Sequence, residues 1–248
     1  MALRAFKQYI ESYLISGISD IFTESDTFNL NIKIDKKNNI INDSDLPIFK
    51  CAETEIISKI DNDIIDLNLL KRKYADCKNC EYHTNRIKFV YGEGPQKADV
   101  FIIGNPPNAD ENITGRPFCG KEGVLLNNML KAINLSRNDV YITNICKCKA
   151  NNNQDYTQIK NCLSYLNQQI KIVSPKIILI FGEVAAQSFL NNHQNMNLLR
   201  QNNPYKFNNV PVFVTYGTTK LNNNISLKKL TWIDLQNFRD TYHNLIKE

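Results

Sequence analysis

Short apolar runs alternate with segments of helical spacing through the C-terminal part of the chain. The runs are typical of buried strands because each is continuous and bounded by polar residues, at residues 100–104, 140–144, 177–182 and 210–216. Between them apolar residues recur every three or four positions, which predicts helices at residues 124–133, 159–173, 183–190 and 227–246. Strands that alternate with helices form a mostly parallel sheet with both faces covered. We therefore expect a three-layer α/β/α sandwich around a central, mostly parallel four-stranded sheet.

The N-terminal part has a weaker pattern. Helical spacing predicts helices at residues 3–16 and 52–73, and an alternating run at residues 28–34 indicates an edge strand or a disordered linker. Residues 1–70 hold 7 basic and 12 acidic side chains, a net charge of −5, whereas residues 71–248 hold 23 and 13, a net charge of +10. We expect an acidic, partly helical extension with a polar linker over residues 1–70, and one globular domain over residues 71–248.

The basic charge of the second part fits a polyanionic partner, because each phosphate that a lysine or arginine neutralises releases a counterion, but it fits a soluble basic domain without such a partner equally well. No apolar run is long enough to span a bilayer, and no secretory signal is visible at the N-terminus. We expect a cytoplasmic, nucleoid-associated monomer with no membrane partner. Seven cysteines in such a protein indicate thiols or metal ligands rather than disulfides.

Four of the cysteines have a spacing that suits a metal site. Cys77 and Cys80 form a C-x-x-C pair after a predicted helix. Cys148 follows a predicted strand, and Cys162 lies fourteen residues later in the next predicted helix. Four thiolates from two separated segments can hold an iron–sulfur cluster or a tetrahedral zinc ion, and spacing alone leaves both open.

Candidate ligand-binding residues follow the predicted strands, since open parallel sheets bind ligands at the carboxyl ends of their strands. These positions are Asn105, residues 144–149, residues 182–183 and residues 217–221. Lys147 and Lys149 are candidates for contact with a DNA backbone.

Short motifs connect these positions in a fixed order: C-x-x-C at 77–80, G-N-P-P-N at 104–108, G-R-P-F at 115–118, T-N-x-x-K-C at 143–148, F-G at 181–182 and T-Y at 215–216. In that order and spacing, residues 70–246 resemble the iron–sulfur branch, family four, of the uracil-DNA glycosylase superfamily. The resemblance implies a DNA-repair enzyme that flips a deaminated base out of DNA and hydrolyses its N-glycosidic bond. It also implies a [4Fe–4S] cluster, with zinc as the alternative, on four cysteines: Cys77, Cys80, Cys148 and Cys162.

The same resemblance implies roles in a base pocket. Phe118 would stack on the extruded base, Asn144 would pair with its edge through a side-chain amide, and Gly104 would border the substrate. Asn105 would be the catalytic residue that positions water, and Leu221 corresponds to a wedge inserted into DNA. The remaining cysteines are expected to be buried thiols: Cys51, Cys119 and Cys146.

Two positions depart from the family pattern. Asn105 stands where the family has a glutamate, so the first loop lacks a full negative charge. Gly217 stands where the family has a histidine that donates to the departing base, and losing one such donor typically costs about 10²–10³ in rate. Three hypotheses follow: an active uracil-DNA glycosylase-like enzyme, a catalytically degenerate iron–sulfur protein that binds DNA, or an unrelated four-cysteine zinc protein that binds nucleic acid.

Overall fold

A computed structural model describes residues 66–150 and 156–247. The predicted elements at residues 3–16 and 28–34, most of the helix predicted at 52–73, and Cys51 lie outside these ranges. The predicted division of the chain near residue 70 therefore stays a prediction.

Five strands in the described ranges form one sheet: β1 (Val100–Gly104), β2 (Val140–Asn144), β3 (Ile177–Phe181), β4 (Tyr205–Phe207) and β5 (Val210–Thr215). Their order is β2-β1-β3-β5-β4. β2, β1, β3 and β5 run parallel, as predicted, and β4 pairs antiparallel with β5 at the edge. The α/β fold is confirmed, but the count of four strands was one short, because three-residue β4 is too brief to show a periodic pattern.

Eight α-helices accompany the sheet within residues 66–150 and 156–247: α1 (Leu67–Tyr74), α2 (Ala109–Thr114), α3 (Gly120–Ala132), α4 (Tyr156–Val173), α5 (Glu183–Leu190), α6 (Met196–Gln201), α7 (Thr218–Asn223) and α8 (Leu227–Leu245). Two 3₁₀-helices lie at Glu81–Asn85 and Arg137–Asp139. The sequence predicts α3, α4, α5 and α8 but not α2, α6 or α7, whose six residues are too few for a helical period. None of the described helices is long and apolar enough to cross a membrane.

The core explains why the strands are continuously apolar. One sheet face packs against α3 and α8 through a cluster that includes Val100, Ile102, Ile142, Leu179, Phe213, Leu126, Leu130, Leu235 and Phe238. Residues of the opposite face, such as Phe101, Ile103, Ile178 and Ile180, are also fully buried. A sheet covered on both faces needs apolar residues at every strand position rather than at every second one.

The carboxyl ends of the parallel strands meet at one edge of the sheet. Gly104 at the end of β1 pairs with Asn144 on β2 and with Phe181 on β3, and Phe181 pairs with Thr215 on β5. β2 lies on one side of β1 and β3 on the other, so the strand order reverses at β1. Open α/β sheets bind ligands in the crevice at such a switch point.

Candidate active site

A cavity opens at this edge, with an empty volume of about 310 Å³ including its mouth. Eleven residues line it: Asn105, Pro106, Asn108, Glu111, Phe118, Glu122, Asn144, Phe181, Gly217, Thr218 and Thr219. Of the residues predicted from sequence to act on the substrate, Asn105, Phe118 and Asn144 are therefore brought together.

Phe118 forms one wall of the cavity. Its backbone is in the left-handed region, with a φ of 47°, a conformation that is strained for an aromatic residue. A Cβ atom added at Gly104 would lie 2.6 Å from two atoms of the Phe118 ring, so only glycine allows the ring to lie against the end of β1. Gly104 itself is not among the lining residues. It supports the wall instead of bordering the cavity directly.

The segment that leads to Phe118 is fixed by ionic contacts. Arg116 and Arg137 both donate to the carboxylate of Glu93, and Arg137 also donates to the carbonyl oxygen of Pro117. Burial opposes the charge on Glu93, but the two arginine hydrogen bonds prevail and hold the pKa of this carboxyl below its ordinary value. These contacts attach the G-R-P-F motif to the segment before β1 that contains Glu93.

Asn144 presents one unsatisfied acceptor. Its Nδ2 donates to the carbonyl oxygen of Asn105 at 2.8 Å and to Oε1 of Glu111 at 3.3 Å. Both amide hydrogens are therefore used. The residue is buried, and Oδ1 has no hydrogen-bond partner. A buried acceptor without a donor costs free energy, so such an atom in a cavity wall points to a ligand that supplies the donor.

Glu111 holds the site together, and the sequence analysis missed it. Its Oε2 accepts from the backbone N–H of Asn108 at 2.8 Å, and Oε1 accepts from the backbone N–H of Phe118 as well as from Asn144. Burial raises the pKa of this carboxyl, whereas the hydrogen bonds from Asn108, Phe118 and Asn144 oppose the rise. The available sequence signal was the N-x-x-E pattern of a capping box, which predicts the start of α2 but not a role in the cavity.

Asn105 is held in a single orientation. Its Oδ1 accepts from the backbone N–H of Ala185 in the first turn of α5 at 3.0 Å. A backbone N–H can only donate, so the amide oxygen must face α5 and Nδ2 must face away from it. The amide lies over Gly182, where φ is 108° and an added Cβ would come within 2.3 Å of Oδ1. A Cβ added at Gly217 would lie 3.4 Å from Nδ2.

The loop after β5 is tied to α3 through a second carboxylate that the sequence analysis missed. Thr218 and Thr219 donate to the two oxygens of Glu122 at 2.9 and 2.8 Å. Leu221, predicted to be a DNA wedge, is fully buried on α7 and does not line the cavity. This conformation does not support the wedge prediction, because a wedge must be exposed to reach DNA. None of the chain's three histidines is among the lining residues.

The four predicted cysteine ligands lie in one region between the C-x-x-C segment, the loop after β2 and α4. Cys80 and Cys162 share a hydrogen bond, which lowers the pKa of the Cys80 thiol and raises that of Cys162. Three of the four are buried, and Cys77 is partly exposed. The sequence-predicted set is therefore gathered from three separate elements.

Two donors reach the sulfur atoms of this group. Tyr165 Oη donates to Cys77 Sγ at 2.9 Å, and Arg86 Nη1 donates to Cys148 Sγ at 3.5 Å. Hydrogen bonds to sulfur stabilise thiolate ligands and tune iron–sulfur clusters. No group of three or more Cys, His, Asp or Glu side chains within the described ranges is arranged to hold a single metal ion.

Three other sequence predictions concern Lys147 and the two described cysteines outside the predicted ligand set. Lys147 is fully buried, and its ammonium donates to Thr143 Oγ1 at 2.6 Å and to the carbonyl oxygen of Asn144 at 2.8 Å. The predicted contact with DNA is wrong for this lysine, whose burial lowers its pKa to about 7. Cys146 is buried as expected, whereas Cys119 is partly exposed.

Comparison with known proteins identifies the fold family. The profile described as "Uracil DNA glycosylase superfamily" matches residues 91–236, which is more than half of the chain. The chain belongs to the uracil-DNA glycosylase superfamily. The matched residues include the cavity-lining positions and both cysteines of the second pair, Cys148 and Cys162, but not the C-x-x-C segment.

Individual relatives agree with this assignment. The type-4 uracil-DNA glycosylase of Archaeoglobus fulgidus is 39% identical over 127 residues, which span 50% of this chain and 64% of that protein. The type-4 uracil-DNA glycosylase of Sulfurisphaera tokodaii is 34% identical over 184 residues, 70% of this chain and 84% of that protein. The type-5 uracil-DNA glycosylase of Pyrobaculum aerophilum is 32% identical over 113 residues, 39% of this chain and 50% of that protein. The chain thus aligns with less than two thirds of the Archaeoglobus protein's length.

Proposed function

We propose that the protein is a uracil-DNA glycosylase of base-excision repair. It extrudes a deaminated base from DNA, hydrolyses the N-glycosidic bond and leaves an abasic site. The observation that carries the proposal is the unpaired, buried Oδ1 of Asn144 in a cavity at the sheet's switch point. Relatives named type-4 uracil-DNA glycosylase support the choice of reaction.

The acceptor on Asn144 accounts for recognition of a deaminated base. Uracil and hypoxanthine carry a ring N–H where cytosine and adenine, from which they form, carry a lone pair. With Nδ2 already donating to Asn105 and Glu111, Asn144 offers only an acceptor, which pairs with the ring N–H and repels the lone pair. Phe118 lies in the cavity wall, and we propose that its ring stacks on the same base.

The chemistry places charge on both fragments. As the bond to the sugar breaks, positive charge develops on the sugar and negative charge on the departing base. The carboxylates of Glu111 and Glu122 line the cavity and favour the positive sugar, while the departing base needs a hydrogen-bond donor. Asn105 lines the same cavity, at the position for which the sequence predicts a water-holding residue.

The decisive experiment is a single-turnover cleavage assay on anaerobically purified protein, with uracil, hypoxanthine or xanthine in single- and double-stranded oligonucleotides. We expect uracil to be excised and Asn144→Ala to lower the rate by about 10²-fold, since the base then loses its reading partner. Asn68→Ala is the matched control, because Asn68 is exposed on α1. If the unaltered protein excises none of these bases, the proposal is wrong.

One observation favours a second function. No histidine is among the described residues that line the cavity, and Gly217 stands at the position where the resemblance implies a histidine donor. The protein would then bind damaged DNA without cleaving it. Fluorescence anisotropy distinguishes the two, since this alternative predicts preferential binding to uracil-containing DNA together with an absence of cleavage. Measurable excision by the unaltered protein would exclude it.

We further propose that Cys77, Cys80, Cys148 and Cys162 hold a [4Fe–4S] cluster. The gathering of four thiols and the donors from Tyr165 and Arg86 support this assignment. When bound, the cluster supplies a cross-link between α4, the loop after β2 and the C-x-x-C segment. It stabilises the fold beside the cavity rather than taking part in base excision.

Iron and sulfide analysis of anaerobically isolated protein tests the cluster. We expect about four of each per chain, with visible absorbance that zinc, a d¹⁰ ion, does not give. Cys162→Ser should abolish most of the iron, whereas Cys119→Ser, at the start of α3, should retain it. Stoichiometric zinc without sulfide would favour the alternative metal and contradict the cluster.

Action on DNA implies that the protein is associated with the nucleoid. We propose that it acts as a monomer. Analytical ultracentrifugation with and without a uracil-containing oligonucleotide tests the monomer directly.

A further inference from the structure

The two departures from the family pattern are neighbours in space. Asn105 follows β1 and Gly217 follows β5, yet a Cβ atom at Gly217 would lie only 3.4 Å from Asn105 Nδ2. The same Cβ would lie 3.2 Å from the Cα of Gly182, a tight contact that a shift of a few tenths of an ångström would relieve. The amide of Asn105 therefore faces position 217 at contact distance, and both residues line the cavity.

The hydrogen bond that Oδ1 accepts sets the orientation of the Asn105 amide. Oδ1 accepts from the N–H of Ala185, so Nδ2 must be the atom that faces Gly217. Within residues 66–150 and 156–247 the hydrogen bonds of Asn105 are made by its Oδ1 and its backbone oxygen, and none by Nδ2. Asn105 lines the cavity and is only partly buried, so this donor can meet a ligand there.

We propose that Asn105 Nδ2 donates the hydrogen bond that stabilises the departing base, the role that the family gives to the histidine missing at Gly217. The inference rests on the proposed glycosylase function. In the reaction the bond between C1′ and N1 breaks, and its electron pair passes to the base and its O2 carbonyl. Water adds to C1′, and a proton from that water ends on the base. Nδ2 bonds O2 as negative charge develops there.

A donor to the base and a holder of water respond differently to substitution. Asn105→Asp keeps an oxygen for the Ala185 N–H, so α5 stays capped, but it replaces the donor with a second oxygen. A donor role predicts that Asp is at least as harmful as Ala, because a carboxylate repels an anionic base. A water-holding role predicts that Asp is as active as Asn or more so, because a carboxylate is the better acceptor for a water proton.

The leaving group supplies the sharper test. Single-turnover rates are measured with uracil and with 5-fluorouracil, whose fluorine stabilises the anion and lessens the need for a donor. Asn105→Ala should lower the rate on uracil by about 10²–10³-fold, with a distinctly smaller loss on 5-fluorouracil. Equal losses on the two substrates would show that Asn105 acts on water or the sugar and would overturn the inference.

Restoring the family's histidine completes the design. Gly217→His should raise the rate of Asn105→Ala by a much larger factor than it raises the rate of the unaltered enzyme, because the donor is missing only in that variant. A gain of about 10²-fold or more in the unaltered background would mean that the donor is missing, and would overturn the inference. An unaltered protein that cleaves neither substrate would overturn the proposed function itself, a result distinct from an active enzyme with equal losses.

Discussion

A buried ion pair behind the last loop makes a prediction about stability that can be worked out from the structure. Arg200 on α6 donates from Nε and Nη2 to the two oxygens of Asp234 on α8, at 2.8 and 2.7 Å, and Thr215 Oγ1 donates to the same carboxylate at 2.7 Å. The two charged side chains are only 9% and 4% exposed. Thr215 ends β5, two residues before Gly217, so the pair fixes the strand that delivers the cavity loop.

We expect Arg200→Met to destabilise the protein by about 3–5 kcal/mol at pH 7, because it leaves Asp234 charged and buried without its partner. That is a large share of the roughly 5–15 kcal/mol by which natural domains are stable. Arg239→Met on α8 is the matched control. Its partner Asp240 is 63% exposed, and an exposed pair contributes at most about 1 kcal/mol.

The effect should depend on pH in a defined direction. Burial raises the pKa of Asp234, while the hydrogen bonds from Arg200 and Thr215 oppose the rise. Without Arg200 the folded-state pKa rises further above the unfolded value, so the folded variant takes up a proton as the pH falls. The loss of stability in Arg200→Met is therefore complete at pH values above the folded-state pKa of Asp234. The loss shrinks as the pH falls toward the unfolded-state pKa of this carboxyl.

Urea unfolding followed by circular dichroism at pH 7 and at pH 5 measures both effects, with an unchanged m-value as the check on two-state behaviour. Adding Asp234→Asn to Arg200→Met should recover part of the loss at pH 7, since the orphan charge is removed. A loss for Arg200→Met no larger than that for Arg239→Met, or one that is the same at both pH values, would refute the reasoning.

Three further predictions concern the cavity and its supports. Glu93→Gln should lower the free energy of unfolding at pH 7 by roughly 1–2 kcal/mol, as measured by urea unfolding. It should also make that free energy less sensitive to acid, because the depressed pKa of Glu93 gives stability that is lost as the pH falls through its folded-state value. An unchanged dependence of stability on pH would contradict this. Gly104→Ala should displace the aromatic wall and lower the single-turnover rate by about 10²-fold with little change in circular dichroism; an unaltered rate would count against the proposed stacking. Glu111→Gln should lower the melting temperature more than Glu122→Gln does, because backbone N–H groups cannot reverse to accept from an amide whereas threonine hydroxyls can; equal shifts would argue against it.

The sheet and its ligand edge could be predicted because burial on both faces leaves a strong signal. Each parallel strand is a continuous apolar run, and the motif residues follow the strand ends directly. Strand order then brings Asn105, Asn144 and the loop at Gly217 to one cavity. The same logic gathers the four cysteines, since Cys148 follows β2 and Cys162 lies on the helix that comes next.

Other features could not be predicted because they depend on side-chain contacts that leave no periodic pattern in the sequence. Lys147 looks like an exposed loop lysine, yet its ammonium is satisfied by Thr143 Oγ1 and the Asn144 carbonyl, which makes burial tolerable. Leu221 matches a wedge in motif position but packs inside. Glu111 has a local capping pattern that conceals its second role, since its bond to Phe118 spans seven residues and its bond to Asn144 spans 33.

The site derives its discrimination from amides that are prevented from rotating. A free asparagine offers a donor and an acceptor interchangeably and cannot distinguish a ring N–H from a lone pair. Glu111 and the Asn105 carbonyl hold Nδ2 of Asn144, leaving an acceptor, whereas the Ala185 N–H holds Oδ1 of Asn105, leaving a donor. Asn144 Oδ1 is buried without a partner, which costs about 1–3 kcal/mol for such a group. A base with a ring N–H recovers the free energy at Asn144, whereas a base with a lone pair there leaves Oδ1 unpaired, which is the stronger basis for rejection.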